Sequence, residues 1–192
     1  EDQPVGERGE LGGHVATRHR ATPAAHPFVM HLAEGVDHAA RAELDLFAAH
    51  GCLTPNAAIV HGVGLSSNQW EQVADRGAGF VWCPASNLFL LGHTPNVRPL
   101  LTHPTMRSRV ALGSDSRISG ARDLLDELKI ARDTASLTPD EALHLVTSGP
   151  AEVLKLKSAG QIAAGRPADL TVLPNHADSA GHALLNASRK DV

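Results

Sequence analysis

The sequence predicts an α/β fold in which parallel strands alternate with helices. Two features carry this prediction: short apolar runs of strand length recur along the chain, and stretches with helical periodicity follow most of them. Consecutive strands joined by a helix are parallel, because the helix returns the chain to the same end of the sheet. A complete (β/α)8 barrel usually needs about 250 residues, so a chain of 192 residues is expected to hold about half of one.

Local signals justify the predicted elements. The strands are expected at 28–32, 57–61, 79–83 and 110–113. Amphipathic helices are expected at 37–50, 66–77 and 123–134. Gly51 is the expected C-cap of the first helix. Ser66 and Gln69 can form a capping box for the second helix. Pro84 ends the third strand, and the stretch 84–104, rich in Asn, Gly, His and Pro, is a long connection.

The two ends of the chain depart from this alternation of strands and helices. Residues 1–26 are rich in Gly, Pro, Arg and His, and we expect an irregular lead-in there, or else the frayed end of a helix. The last third is expected to contain helices at 138–147 and 150–154, followed by turn-bounded strands at 160–162 and 165–173. From 174 onward the tail is polar, rich in small residues and expected to be mobile.

Composition limits the classes of partner. Seventeen basic and 21 acidic residues give a net charge of −4, and no Lys/Arg block is present, so we expect no nucleic acid and no anionic membrane as partner. No apolar run approaches the roughly 20 residues of a membrane span, and no signal peptide is visible. The two cysteines, Cys52 and Cys83, form no CxxC pair, which favours a reducing, cytoplasmic location.

Polar residues capable of chemistry lie at or just after the end of each predicted strand. They are His31, Glu34, His61, Cys83, Ser86, Asn87 and Asp115. Because the carboxyl ends of parallel strands meet at one edge of the sheet, we expect these side chains to converge on an active site. Imidazole and carboxylate ligands suit zinc or iron, and such a metal lowers the pKa of a bound water to near neutrality.

Each residue taken alone also has an ordinary structural explanation. A single His at a strand end is more often a hydrogen-bonded structural residue, and an Asp after Gly-Ser is commonly a turn or N-cap residue. Glu34 could be a solvated loop carboxylate, and Cys83 is best explained as a small apolar filler. The pattern across four successive strand ends is much less probable by chance than any one of its members, which favours the site.

Five motifs resemble the amidohydrolase superfamily, in particular its cytosine-deaminase-like and chlorohydrolase-like branch. They are HLAEG at 31–35, VHGVGL at 60–65, CPASNL at 83–88, LGSD at 112–115 and GQIAAGRPADL at 160–170. The resemblance covers about 27–173 and corresponds to the C-terminal part of that family's fold. Together with the composition of the two ends, it divides the chain into three regions: an irregular lead-in at 1–26, half of the hydrolase barrel at 27–157, and returning strands of a small β-sandwich with a polar tail at 158–192.

The resemblance also implies roles for individual residues. His31 and Asp115 match metal ligands, and Asp115 also takes a proton from the attacking water. Glu34 matches the acid that passes a proton to the substrate. His61 matches a His that polarises the substrate or orients the water in mononuclear enzymes, or that binds a second metal in binuclear ones. Ser86 and Asn87 match a loop that lines the substrate pocket.

We therefore expect a metal-dependent hydrolase that acts on a C–N bond of a cyclic amide, amidine or amino-heterocycle. Its cofactor is expected to be a divalent metal, zinc in the first place and iron as the alternative. Its partners are a small-molecule substrate and, in the intact enzyme, a second copy of itself. The family's His-x-His metal pair occurs nowhere in this sequence. The alternative is therefore a catalytically incomplete fragment that acts at most as an interaction module.

Overall fold

The computed structural model describes residues 5–174 and 177–192, and its centre is a four-stranded parallel sheet. The strands are β1 (Phe28–Leu32), β2 (Ala57–His61), β3 (Gly79–Trp82) and β4 (Val110–Leu112). They lie in sequence order, and each pairs in parallel with the next. All five residues of β2 are buried, as expected for a parallel strand covered on both faces. The predicted parallel α/β class is confirmed.

Helices surround the sheet. They are α1 (Val5–Ala21), α2 (His38–Ala49), α3 (Ser67–Asp75), α4 (Pro84–Leu91), α5 (Arg98–Thr102), α6 (Leu124–Ala135), α7 (Pro139–Val146), α8 (Ser148–Val153) and α9 (Ala180–Asn186). Two 3₁₀ turns lie at Arg107–Arg109 and Arg189–Asp191. The expected capping box of Ser66 and Gln69 is present in full. Gly51 has a φ of +73° just after α2, as its predicted capping role requires.

The two faces of the sheet are packed differently. One face contributes Ile59, Phe80 and Val110 to the main core, together with the apolar sides of α2, α3, α6 and α7. On the other face, Ala58, Val81 and Ala111 pack against Val153 of α8 in a smaller cluster. At one edge of the sheet, Val29 of β1 remains 47% exposed. The second face is therefore only partly covered by described residues.

The expectation of an irregular lead-in at 1–26 is wrong for Val5–Ala21, which is helical. Ala16 is buried in the main core and Val15 packs against it. Packing against the rest of the fold stabilises a helix whose glycine-containing sequence has low intrinsic propensity. Of the two alternatives for this segment, the helix is the one observed.

The stretch 84–104 also contains more structure than its composition indicates. Pro84 ends β3 and at the same time begins α4, because its fixed φ and missing N–H suit the first position of a helix. Gly92 ends α4 in the left-handed conformation, with a φ of +63°. The short helix α5 follows within the same stretch.

The strands expected at 160–162 and 165–173 are not formed. A strand requires partners for its backbone groups, and no described segment pairs with this one. Ile162 and Val172 are accordingly 89% and 82% exposed. The tail, expected to be polar and mobile, contains α9, whose Leu185 is buried in the core and whose Gly181 lies directly against Pro139 of α7. Among the described residues, no helix is long and apolar enough to cross a membrane.

Candidate metal centre

Three of the predicted residues, His31, Glu34 and His61, converge at the carboxyl ends of β1 and β2. The two strands are paired in register, so that Leu32 lies opposite His61. One potential ligand atom from each of the three side chains lies within 4.8 Å of the others. The rings of His31 and His61 are 4.9 Å apart and meet nearly at right angles. Parallel pairing of neighbouring strands therefore assembles the predicted cluster.

The backbone around this cluster is held in a conformation that non-glycine residues rarely adopt. Ala33 has a φ of +53° and His61 a φ of +74°, each costing about 1–3 kcal/mol. Backbone contacts compensate: the Ala33 N–H donates to Glu43 Oε2 at 2.7 Å, and Gly64 N–H donates to the Ala33 carbonyl at 3.0 Å. The helix α2, which carries Glu43, thus fixes the turn between His31 and Glu34.

The imidazole of His61 is fully buried. One of its two ring nitrogens has a hydrogen-bond partner. Its Nδ1 lies 2.8 Å from Oδ1 of Asn87. An amide oxygen only accepts hydrogen bonds, so Nδ1 is the donor and Nε2 of the neutral ring carries a lone pair. Nε2 lies 3.4 Å from Oε2 of Glu34, yet it forms no hydrogen bond within the described part of the chain.

Two acceptor atoms that face each other at this distance repel unless positive charge lies between them. A second proton on His61 or a bound cation would supply that charge. The unsatisfied Nε2, the neighbouring carboxylate of Glu34 and the exposed imidazole of His31 are ligand types that zinc and iron accept. The residues present therefore fit a divalent metal.

Asn87 is itself held by a short chain of hydrogen bonds. Its Nδ2 donates to Oγ1 of Thr94 at 3.1 Å, and the same oxygen accepts from Nε1 of Trp82 at 2.8 Å. Asn87 and Trp82 are both buried. The orientation of His61 thus depends on the end of β3 and on the loop that follows α4.

Asp115 follows β4 and lies beside the cluster rather than in it. Its Oδ2 accepts hydrogen bonds from Ser86 at 2.5 Å and from Ser119 at 3.1 Å. Burial acts to raise the pKa of Asp115, but these two hydrogen bonds, with a smaller contribution from the nearby imidazoles of His61 and His31, outweigh it and hold that pKa below its ordinary value. Like His61, Asp115 is left-handed, with a φ of +52°. The site thus contains a carboxylate that stays ionised at neutral pH.

The structure places Ser86 and Asn87 in the buried first half of α4, where each supports another site residue. Ser86 donates to Asp115, and Asn87 accepts from His61. Their predicted contact with substrate remains a prediction. Cys83 is buried, and burial, followed by the charges of Asp115 and Glu127, raises its pKa to about 12. It is therefore a neutral thiol at physiological pH, in agreement with its interpretation as a filler.

Sequence reasoning did not single out four residues that support the site: Glu43, Thr94, Ser119 and Glu127. Glu127 carried a usable signal, because it adjoins Leu128 on the apolar side of a predicted amphipathic helix and is completely buried. Burial raises its pKa, while hydrogen bonds from the amides of Ala85 and Ala121 oppose the rise. The other three lie at positions where a polar residue is ordinary.

Comparison with known proteins identifies the family. The model of the amidohydrolase family matches residues 10–187, and this chain belongs to that family. The resemblance found in the sequence is therefore confirmed.

Named relatives are deaminases. The chain is 37% identical over 124 residues to the 5-methylthioadenosine/S-adenosylhomocysteine deaminase of Haloquadratum walsbyi, an alignment that covers 60% of this chain and 27% of the relative. It is 30% identical over 162 residues to the protein of the same name from Bacillus thuringiensis, covering 76% of this chain and 37% of the relative. The chain thus spans less than two fifths of the length of these relatives.

Solved structures show the same fold. An adenosine deaminase from Xanthomonas campestris with bound zinc aligns at a TM-score of 0.70 and 23% identity, covering 84% of this chain and 42% of that one. The atrazine chlorohydrolase from Arthrobacter aurescens complexed with zinc aligns at a TM-score of 0.73 and 20% identity, covering 95% and 44%. The predicted partial barrel is confirmed, whereas the predicted division into three regions remains a prediction.

Proposed function

We propose that this chain supplies the catalytic C-terminal part of a metal-dependent, deaminase-like hydrolase that cleaves a C–N bond of a cyclic amide, amidine or amino-heterocycle with water. Family membership and the names of the relatives support this class of reaction. The observation that carries the proposal is the buried Nε2 of His61, which faces Glu34 at 3.4 Å with no hydrogen bond to any described residue. 5-Methylthioadenosine and S-adenosylhomocysteine, named in the relatives, are the first substrates to test.

A divalent cation belongs to this proposal, zinc in the first place and iron as the alternative. When bound, it supplies a Lewis acid that brings the pKa of water close to neutrality. We assign its ligands from this chain to His31 and Asp115, and its remaining ligands to parts of the intact enzyme that this chain does not provide. The cluster geometry offers a competing set, in which Glu34 and His61 join His31 as ligands. His31 belongs to both sets.

The chain's own residues handle the protons. Asp115, kept ionised by Ser86 and Ser119, accepts a proton from the attacking water. Glu34, about one third exposed, passes this same proton on to the leaving nitrogen. Nε2 of His61, which carries a lone pair, accepts a hydrogen bond from the attacking water and so orients it toward the substrate. Asn87 keeps Nδ1 occupied, which leaves only Nε2 to meet the water.

The ligand assignment is tested by metal analysis of the intact enzyme. We expect His31→Ala and Asp115→Asn to lower the metal content, because each removes a ligand. Glu34→Gln should retain the metal and lose ammonia release from the two nucleosides. Loss of metal in Glu34→Gln equal to that in His31→Ala would instead favour the cluster set.

The class of reaction is tested by the same preparations. Metal-dependent ammonia release from either nucleoside, or from another amino-heterocycle, supports the proposal. An intact enzyme that neither binds zinc nor releases ammonia from such compounds would leave the catalytically incomplete alternative as the better explanation.

A further inference from the structure

Glu127 is a fully buried carboxylate that the proposed chemistry does not use. Glutamate is rarely fully buried unless its oxygens are satisfied. Here both oxygens accept backbone hydrogen bonds: Oε1 from the N–H of Ala85 at 2.8 Å, and Oε2 from the N–H of Ala121 at 3.1 Å. One side chain of α6 therefore joins two segments that lie far apart in the sequence, and it does so beside the hydrogen bond from Ser86 to Asp115.

The two segments are the ones that hold the site residues. Ala85 lies in the first turn of α4, directly before Ser86, which donates to Asp115, and Asn87, which orients His61. Ala121 lies in the connection between β4 and α6, the same connection that contains Asp115. Glu127 thus links α4, whose Asn87 orients His61, to the β4–α6 connection, which contains Asp115.

Ordinary helix capping does not explain this arrangement. The start of α6 is already capped by Asp123, whose side chain accepts from the N–H of Asp126. The start of α4, in contrast, has no side-chain cap from its own N-cap residue, Cys83, and Pro84 has no N–H. The Ala85 N–H is one of the free donors of that first turn, and Glu127 satisfies it from a position 42 residues away along the chain.

We propose that Glu127 is a positioning residue: by holding Ala85 and Ala121, it keeps Asn87 on Nδ1 of His61 and Ser86 on Asp115. The consequence for the neutral ring of His61 is that one tautomer is favoured, with the proton on Nδ1 and Nε2 directed toward Glu34. The inference deepens the proposed function, since it concerns the same site. The tautomer of a metal-free ring, however, can be measured whether or not the enzyme binds metal or turns over substrate.

The test uses the full metal-free chain at about pH 9, where ordinary imidazole side chains are neutral, and the ring ¹⁵N chemical shifts of His61, which distinguish the two neutral tautomers. The unsubstituted chain should show the Nδ1–H form alone. Glu127→Gln keeps the size of the side chain, but its amide nitrogen cannot accept, so at least one of the two backbone hydrogen bonds is lost. We expect this variant to remain folded by circular dichroism and to show a mixture of tautomers.

Asp126→Asn is the matched control, because it removes a neighbouring carboxylate of the same helix. Asp126 pairs on the surface with Arg122 and Lys129, and this variant should keep the single tautomer. Asn87→Ala is the positive control and should show a mixture of both tautomers, because it removes the acceptor of the His61 Nδ1 proton. A single Nδ1–H tautomer in folded Glu127→Gln, or a mixture already present in the unsubstituted chain, would overturn the proposal.

A second measurement decides the question if Glu127→Gln does not fold. In the unsubstituted chain, the amides of Ala85 and Ala121 should exchange with solvent at least about tenfold more slowly than the exposed amide of Arg117, because Glu127 accepts from both. Exchange of both amides as fast as that of Arg117 would show that Glu127 does not hold the two segments together. Failure of the enzyme to bind zinc would contradict the proposed function and leave both measurements unaffected.

Discussion

At the scale of single residues, the site depends on where protons and hydrogen bonds are placed. His61 is buried in a left-handed conformation, and Asn87 holds one of its nitrogens. Asp115 is also left-handed and is engaged by two hydroxyl groups. Such strained positions persist only where the surrounding structure stabilises them, and they are concentrated at functional sites.

Asp115→Asn, assayed with saturating added metal, should lower turnover of the intact enzyme by about 10²–10⁴-fold, the usual contribution of a general base. The amide cannot accept the proton of water, but it still accepts hydrogen bonds from Ser86 and Ser119, so the fold should remain. Turnover at saturating substrate, compared with the midpoint of thermal unfolding, is the measurement. Activity equal to that of the unsubstituted enzyme would refute the role of Asp115.

Ser119→Ala should raise the pKa of Asp115, because it removes one of the hydrogen bonds that stabilise the ionised carboxylate. The acidic limb of the pH–rate profile should then move to higher pH. The exposed Ser108, whose hydroxyl donates to the Thr105 carbonyl, offers a control in Ser108→Ala that should leave the profile in place. An acidic limb that is unchanged in Ser119→Ala would show that the ionisation of Asp115 does not set that limb.

At the scale of elements, the sequence predicts the strands and helices whose signals lie within a few consecutive residues. The four strands are found within one residue of their predicted ends, since each is a short, mainly apolar run between turn residues. The capped helices are found for a similar reason, because a capping box is complete within four residues. The strands expected at 160–162 and 165–173 fail, because a strand depends on a partner elsewhere.

Glu141→Gln tests the start of α7, where Glu141 closes a capping box with Thr138 and pairs with Arg98 at 2.8 Å. Burial acts to raise the pKa of Glu141, but these contacts outweigh it and lower that pKa. A lowered pKa stabilises the folded state above the unfolded-state pKa of about 4.3. We expect the variant to lose about 0.5–1 kcal/mol of unfolding free energy at pH 7.

The same linkage fixes the pH dependence of this loss. The difference between the two proteins should shrink as the pH falls below about 4.3 and Glu141 takes up a proton. Denaturant unfolding at pH 7 and at pH 3 measures it. Asp140→Asn, which removes the adjacent carboxylate of the same turn, should cost less at pH 7. An equal loss for Glu141→Gln at both pH values would contradict the explanation.

At the scale of the whole molecule, the chain presents an open sheet. The strand order makes β1 and β4 its edges, and unpaired edges favour association with another chain. Val29 of β1 is 47% exposed on the less covered face. We therefore expect the purified 192-residue chain to associate with itself through this side of the sheet.

Val29→Lys should weaken that association, because an inward-facing charge on an edge strand opposes pairing. Leu46 of α2 is a matched control, since it is apolar and 49% exposed on a helix; Leu46→Lys should leave the association unchanged. Sedimentation velocity over a range of concentrations measures the difference. Equal effects of the two substitutions, or a strictly monomeric chain, would show that the edge is not the contact.

Zinc affinity is a second property of the whole molecule. The 192-residue chain is expected to bind zinc weakly, because tight sites use three or four protein ligands and we assign only His31 and Asp115 to the metal. Dialysis against a chelator followed by metal analysis should remove the metal. Stoichiometric zinc that survives such dialysis would show that further residues of this chain, Glu34 and His61 first among them, complete the site.

The amino-acid sequence alone determined the parallel α/β class, the positions of the strands and the set of polar residues at their carboxyl ends. These features follow from the hydrophobic periodicity of short segments, which is local, and from the geometry of parallel strands, which repeats along the chain. Only the tertiary structure decided that His61 turns Nε2 toward Glu34 and that Ser86 donates to Asp115. It also decided that Glu127 binds the backbone of both segments that hold these residues. Those contacts link residues up to 42 positions apart, and packing in three dimensions, rather than any local pattern, brings such residues together.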